Sequence, residues 1–257
     1  RRIDKMKVIA IANNKGGVAK TSTALNIADS LKHLNYKVLL IDLDSQCNST
    51  TTYRAKIDDT YTIYDVMERE CEPQEAIQKT EMGDIIAGDS KLEEVEMKYT
   101  SQIGGYNLIK NAVHKLDGLY DYIIIDTPGS LGIYLLNALT AATGVVIPVK
   151  AEIYSIDGLS SLLNVINQVI QNTNPELRIY GVLLTSYDKR NTLDNRILKE
   201  LPQTGEAVGF HVFKKPIRVS QSVKDSQGYK VSLLDNYGKT NAAEDYKSLV
   251  NELLSIM

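Results

Sequence analysis

The sequence has no tryptophan, only two phenylalanines, and two cysteines, Cys47 and Cys71, among 257 residues. Two thiols make neither a disulfide framework nor a metal-ligand spacing, so a disulfide-stapled scaffold and a zinc ribbon are both excluded. The histidines, His33, His114 and His211, stand apart from one another, which removes a zinc motif and a nucleophile–histidine pair. No run is long and apolar enough to span a membrane, and the start, Arg1–Lys7, is too short and polar for a signal peptide. A charge excess is also missing. The 29 Lys+Arg against 32 Asp+Glu leave a formal net charge of −3, so nucleic acid would have to be held by a local patch. These absences set an expectation of a reduced, cytoplasmic globular protein.

What is present is an alternation of short apolar runs with helical patterns, the sign of stacked βα units. Strands are expected at Lys7–Ala12, Lys37–Asp42, Gly83–Ala87, Tyr120–Asp126, Gly144–Val149 and Arg178–Thr185, with a short extended piece from Val212. Helices are expected at Thr21–Leu34, Tyr106–Leu116, Leu131–Ala142, Ile156–Gln171, Leu193–Leu201 and Asn241–Met257. The runs VLLID, YIIID and VVIPV are apolar on consecutive residues, as in strands covered on both faces. The expectation is one α/β domain over residues 1–257, a mostly parallel central sheet with helices on both faces. The polar stretch Ser49–Thr60 reads as a mobile surface loop.

The chemistry concentrates at Asn14–Ser22, between the first strand and the first helix. Unpaired backbone N–H groups at a helix start cradle an anion, and glycines let the chain approach phosphate closely. Lys20 is placed to neutralise β- and γ-phosphates, Thr21 to put a hydroxyl on Mg²⁺, and Ser22 to reach the phosphates. A strict GxxxxGK[ST] search fails, because Asn14 and Ala19 stand at the two glycine positions. Asp42 and Asp44, two apart at a strand end, suit a magnesium site and water activation. A second buried strand, Ile123–Ile125, ends in Asp126, the form of a Walker B motif. A P-loop NTPase fold binding Mg·ATP follows.

Three motifs together resemble the ParA/MinD family: Lys15–Ser22 its deviant Walker A loop, KGGxGK[ST]; Asp42–Asp44 its second motif; and IIIDTP its Walker B. Ser130–Leu163 and Leu183–Leu193 look like ParA/Soj partition ATPases. The resemblance implies roles residue by residue. Lys15, Gly16, Gly17, Val18, Ala19, Lys20, Thr21 and Ser22 would hold nucleotide, with Pro216 near the base. Lys15 would cross a dimer interface to the partner's nucleotide. Thr21, Asp42 and Asp126 would serve Mg²⁺, and Asp44 would orient the attacking water. Catalysis would rest on Lys15, Lys20 and Asp44. Three departures stand out: Ala19 for the usual glycine, Gly129 for a frequent second proline, and FKKPIRVSQSVK (Phe213–Lys224) in place of the family's IPRNVRLSEAPS.

The implied activity is DNA segregation: an ATP-dependent homodimer on non-specific DNA, with hydrolysis stimulated by a centromere-binding ParB-like partner, and no membrane role. Arg190, Lys214, Lys215, Arg218 and Lys224 are the candidate DNA contacts; taken alone they read equally as a solvated basic loop. Nothing before Lys7 resembles an extra DNA-binding domain, as in the short form of the family. Two alternatives stay open. One is a MinD-type membrane-associated positioning ATPase, disfavoured by the acidic residues Glu244, Asp245 and Glu252 in the last helix. The other is an ATP-gated binding module in which Ala19 has nearly stopped hydrolysis.

Overall fold

The computed structural model describes residues 5–152 and 155–257, the side chains of 95 and 155–158 apart. Arg1–Asp4 of the chain start, and Ile153–Tyr154 within the Ser130–Leu163 resemblance, lie outside the described residues.

Seven strands form one sheet: β1 (Lys7–Ile11), β2 (Val38–Asp42), β3 (Ile77–Lys79), β4 (Asp84–Ile86), β5 (Tyr122–Asp126), β6 (Gly144–Lys150) and β7 (Arg178–Thr185). Their order is β3-β4-β2-β5-β1-β6-β7. All neighbours run parallel except β3, which pairs antiparallel with β4 at the edge. The strand period of two divides the apolar side chains between two cores. Val8, Ala10, Leu39, Ile41, Ile123, Ile125, Val145 and Ile147 enter one. Ile9, Ile11, Leu40, Ile124, Val146 and Leu183 enter the other. This is the three-layer α/β fold expected from the sequence.

The helices are α1 (Lys20–His33), α2 (Asn48–Thr52), α3 (Ile63–Glu68), α4 (Leu92–Ser101), α5 (Leu108–His114), α6 (Ile133–Ala141), α7 (Ser155–Asn172), α8 (Thr192–Val208), α9 (Gln221–Tyr229), α10 (Leu233–Tyr237) and α11 (Asn241–Ile256). The helix α8 runs past Pro202 and stops at Gly209, whose φ of 91° suits only glycine well. The apolar stripe of α11 (Ala242, Tyr246, Leu249, Val250, Leu253) is buried in the same core as Ala24, Ile27, Ala28 and Leu31 of α1. That stripe is therefore covered by protein. No helix among the described residues is long and apolar enough to cross a membrane.

One expectation is corrected. The first part of Ser49–Thr60 is not a surface loop: Ser49, Thr50 and Thr52 of α2 and the following Tyr53 are buried. The hydroxyls of Ser49, Thr50 and Thr52 are consumed by internal acceptors, and a polar residue enters a core when its hydrogen bonds are met there.

Parallel strands deliver their following loops to one end of the sheet. The loop after β1 leads to α1 in one core, and that after β5 leads to α6 in the other, so a crevice opens between them. The residue starting α1, Ala19, has φ 67° and ψ 34°, the left-handed region where a Cβ is unfavourable. Ala19→Gly is expected to raise the stability of the nucleotide-free protein by roughly 1 kcal/mol. Urea denaturation reads this directly, and a lowered midpoint would show that the Ala19 methyl contributes packing that outweighs the strain.

Candidate active site

The loop between β1 and α1 is fixed from three sides. Asn13 donates from Nδ2 to the Pro148 carbonyl (2.6 Å) and accepts from the Lys15 N–H (3.0 Å). Thr185 donates to the Val18 carbonyl (3.0 Å). Thr127 donates to the Ile11 carbonyl at the end of β1 (2.8 Å). Gly17, with φ 71°, makes the reversal that Ala19 then repeats. Lys20 emerges with 8% of its surface exposed, its Nζ donating to the Lys15 carbonyl (2.9 Å). Burial lowers its pKa, against the opposing charges of Asp126 and Asp44.

Two carboxylates lie beneath this lysine. Asp42 and Asp126 are register partners at the ends of β2 and β5 and are both fully buried. One oxygen of Asp42 accepts from the N–H (2.9 Å) and hydroxyl (2.8 Å) of Thr50, and the other from the Asp44 N–H (3.2 Å). The Thr50 oxygen accepts in turn from the Gly88 N–H (2.7 Å). Asp126 accepts from the Ser49 hydroxyl through Oδ2 (2.8 Å), while its buried Oδ1 makes no hydrogen bond. Burial is the first cause that raises both pKa values. The negative charge of Asp42 raises Asp126 further, and the Ser49 and Thr21 hydroxyls oppose the shift. An orphaned buried carboxylate oxygen facing a threonine hydroxyl and a lysine is an oxygen donor set suited to a hard cation.

Above them opens a cleft of about 960 Å³. Gly16, Gly17, Ala19, Lys20, Thr21 and Ser22 form its floor, with Asp44 and Gly129 at one side. Asn48, Thr51 and Thr52 of α2 line one wall. Ile217–Ser220 and Val223, Lys224, Gln227 and Gly228 of α9 line the other, with Lys150, Thr185 and Tyr246 behind. Gln227 donates to the Ser22 hydroxyl (3.0 Å), so α9 touches the phosphate loop itself.

Residues 6–179 match the family described as an AAA domain (AAA_31). The chain is 36% identical to "Chromosome partitioning protein ParA" of Caulobacter vibrioides, over 97% of this chain and 94% of that one. It is likewise 36% identical to "Sporulation initiation inhibitor protein Soj" of Bacillus subtilis, over 96% and 98%. The chain belongs to the ParA/Soj family of partition ATPases. Solved structures agree. A Mycobacterium smegmatis protein described as cobyrinic acid a,c-diamide synthase, with bound ATP analogue and magnesium, superposes with TM-score 0.85 at 33% identity, covering 97% and 94% of the two chains. A putative plasmid partition protein from Borrelia burgdorferi B31 bound to AMPPNP gives 0.80 at 26% identity, over 99% and 100%.

The structure distributes the expected ParA/Soj site residues unevenly. Gly16, Gly17, Ala19, Lys20, Thr21, Ser22 and Asp44 meet at the cleft. Val18 is buried beneath it, and Lys15 and Pro216 stand outside the lining. Asp42 ends β2, and its oxygens accept from Thr50 and the Asp44 N–H. The five expected DNA contacts differ in what already meets their charge. Arg190 is held by Asp188, Nη2 to Oδ2 at 2.8 Å, and that pairing lowers the Asp188 pKa to about 2. Lys215 (3.2 Å) and Arg218 (2.7 Å) both pair with Oδ1 of Asp245, which is fully buried on α11. Lys214 is exposed, its N–H beside the Glu252 carboxylate (3.2 Å). Arg218 and Lys224 also line the nucleotide cleft.

Sequence reasoning missed Ser49 and Thr50, the hydroxyls that hold the acid pair. Thr50 answers Asp42 and Ser49 answers Asp126, 77 residues along the chain, so no local pattern announces them. Cys47 is a buried free thiol, and burial pushes its pKa up to about 12.

Two outcomes follow. A carboxyl whose folded pKa lies above its unfolded value destabilises the fold once ionised, from about pH 4 upward and fully above the folded value. Asp126→Asn is therefore expected to raise the Tm of nucleotide-free protein by about 3–6 °C at about pH 8 and by less at about pH 5. Scanning calorimetry at the two pH values checks this, and an equal or lower Tm at the higher pH would refute it. Arg218→Glu sets a second anion against buried Asp245, so it is expected to lower Tm by about 5 °C or more and to weaken nucleotide binding. Unchanged Tm and nucleotide affinity would show that the Asp245 pairing carries little weight.

Proposed function

We propose that this chain is the ATP-driven switch of a DNA-segregation system, using ATP and Mg²⁺. The observation that carries the reading is the stacking of Lys20 over the buried Asp42–Asp126 pair, with Asp44 at the mouth of the same cleft. The full-length likeness to ParA and Soj proteins supports it.

The residues divide the chemistry. Loop N–H groups and Lys20 would take the phosphate oxygens, as unpaired donors at the start of α1. Thr21, and Asp126 through a water, would hold Mg²⁺, which would supply positive charge to the phosphates. Asp44 is partly exposed at the cleft edge, its Oδ1 accepting from the Gln46 N–H (3.0 Å). It would orient a water whose oxygen bonds to the γ-phosphorus as the bond to the β–γ bridging oxygen breaks. ADP leaves with that electron pair, and the water's proton passes to Asp44 or solvent.

Lys15 stands outside the lining of its own cleft, which supports service to a second copy. In this reading ATP joins two chains, the dimer holds DNA without reading sequence, and a ParB-like partner triggers hydrolysis and release. Burial of the α11 stripe supports this reading over a membrane-positioning one.

Lys20→Ala is expected to lose ATP binding, whereas Asp44→Ala keeps affinity within about twofold and loses turnover by roughly a hundredfold or more. Nucleotide titration and phosphate release measure both, and equal loss of affinity would end the division of roles. Wild type should be monomeric without nucleotide and dimeric with a slowly hydrolysed ATP analogue, and Lys15→Ala should stay monomeric. Light scattering decides this; a nucleotide-independent dimer unaffected by the substitution would contradict it.

A further inference from the structure

Beside the active-site cleft lies a second recess, of about 350 Å³, lined by Arg54, Lys56, Lys79 and Lys230 and by one carboxylate, Glu81. Among the described residues none of these four cations takes part in a salt bridge. They contrast with Arg190, Lys215 and Arg218, whose charges are met by Asp188 and Asp245.

Specific bonds bring the four together from separate parts of the chain. The Gln78 side-chain amide bonds both ways with the Lys56 backbone (2.7 and 2.8 Å), setting Lys56 beside Lys79 on β3. Arg54 donates from Nη2 to the Tyr229 carbonyl (3.1 Å), next to Lys230. Lys32 adds a fifth positive charge at the rim, donating to the Glu81 (3.2 Å) and Met82 (3.0 Å) carbonyls. Arg54 (φ 54°) and Lys230 (φ 58°) both occupy the left-handed region, uncommon for such side chains. Some of these side chains also tie elements together, but their charges repel one another, and a bound polyanion would turn that repulsion into attraction.

We propose that this recess docks the phosphate backbone of double-stranded DNA. The proposal rests on the reading that the ATP-bound protein holds DNA, and it adds a contact surface to the residues expected from sequence. Exposed, unpaired Lys and Arg side chains on an open recess suit a run of phosphates and carry no base readout. The position also links DNA to nucleotide. Arg54 directly follows Tyr53, the residue that ends α2, and Lys230 ends α9. Those two helices wall the nucleotide cleft through Thr51 and Gln227 among others. The Arg54–Tyr229 bond joins their ends, so nucleotide occupancy and DNA docking act on the same pair of elements.

The test is Lys56→Glu/Lys79→Glu, two exposed residues outside the cleft lining. Fluorescence anisotropy with a labelled duplex of about 30 bp, an ATP analogue and Mg²⁺ should show at least a tenfold loss of affinity and a shallower salt dependence. Nucleotide affinity and Tm should not change. If the double variant lowers Tm, Lys56→Gln/Lys79→Gln removes the charges without new repulsion and is read instead. Wild type binding the duplex with the variant unchanged would overturn the site and leave the DNA reading standing. Wild type failing to bind duplex with any nucleotide would overturn both. Wild type binding vesicles of phosphatidylserine and phosphatidylcholine, but not the duplex, would assign the recess to lipid and overturn the proposal.

Discussion

Two carboxylates buried side by side, Asp42 and Asp126, are the constraint around which the functional end of the molecule is organised. Parallel pairing of β2 with β5 puts them in register, with no exposure to solvent. Such a pair is unfavourable unless its oxygens find donors and its charge finds a cation. Thr50, Ser49 and the Asp44 N–H supply donors, and Lys20 supplies part of the positive charge. One oxygen of Asp126 remains unmet. The site therefore has a built-in preference for a second cation arriving with a polyphosphate.

The same arrangement explains why α2, only five residues long, matters. It is held down by the acids it satisfies, and it is also one wall of the nucleotide cleft. The opposite wall, α9, reaches the phosphate loop through Gln227 and Ser22. Neither wall belongs to the central sheet. The rigid part of the site stands on strand ends, and the parts that face nucleotide from above are short helices joined by a few polar contacts. That is the construction expected of a switch, in which a bound ligand changes the balance between two arrangements of lightly held elements.

Six of the seven strands were readable from their apolar runs, while the edge strand β3, only half buried, was not, and Asp126 was readable because it ends such a run. The phosphate loop was readable from its place between strand and helix despite Asn14 and Ala19. The left-handed backbone at Ala19 was also legible, since glycine usually fills that position in the family (φ 67° here). Ser49 and Thr50 were hidden because a hydroxyl-rich stretch looks the same whether its hydroxyls face water or buried acids. Lys215 and Arg218 looked like free cations because their partner, Asp245, lies on a helix some 27 residues further along for Arg218. A local pattern shows charges; only tertiary structure shows which are already met. The recess at Arg54 and Lys230 was invisible for the complementary reason, since its cations are scattered along the chain and converge only in the fold.

The central claim is that burial raises the pKa of the Asp42 and Asp126 carboxyls in the empty protein and that Mg·ATP lowers it. Calorimetric titration of Mg·ATP in buffers of different ionisation enthalpy measures the proton released directly. Wild type should release more proton than Asp126→Asn at about pH 6.5, with the difference fading by about pH 8.5 as the pair ionises beforehand. Identical proton release from wild type and Asp126→Asn at both pH values would contradict the account.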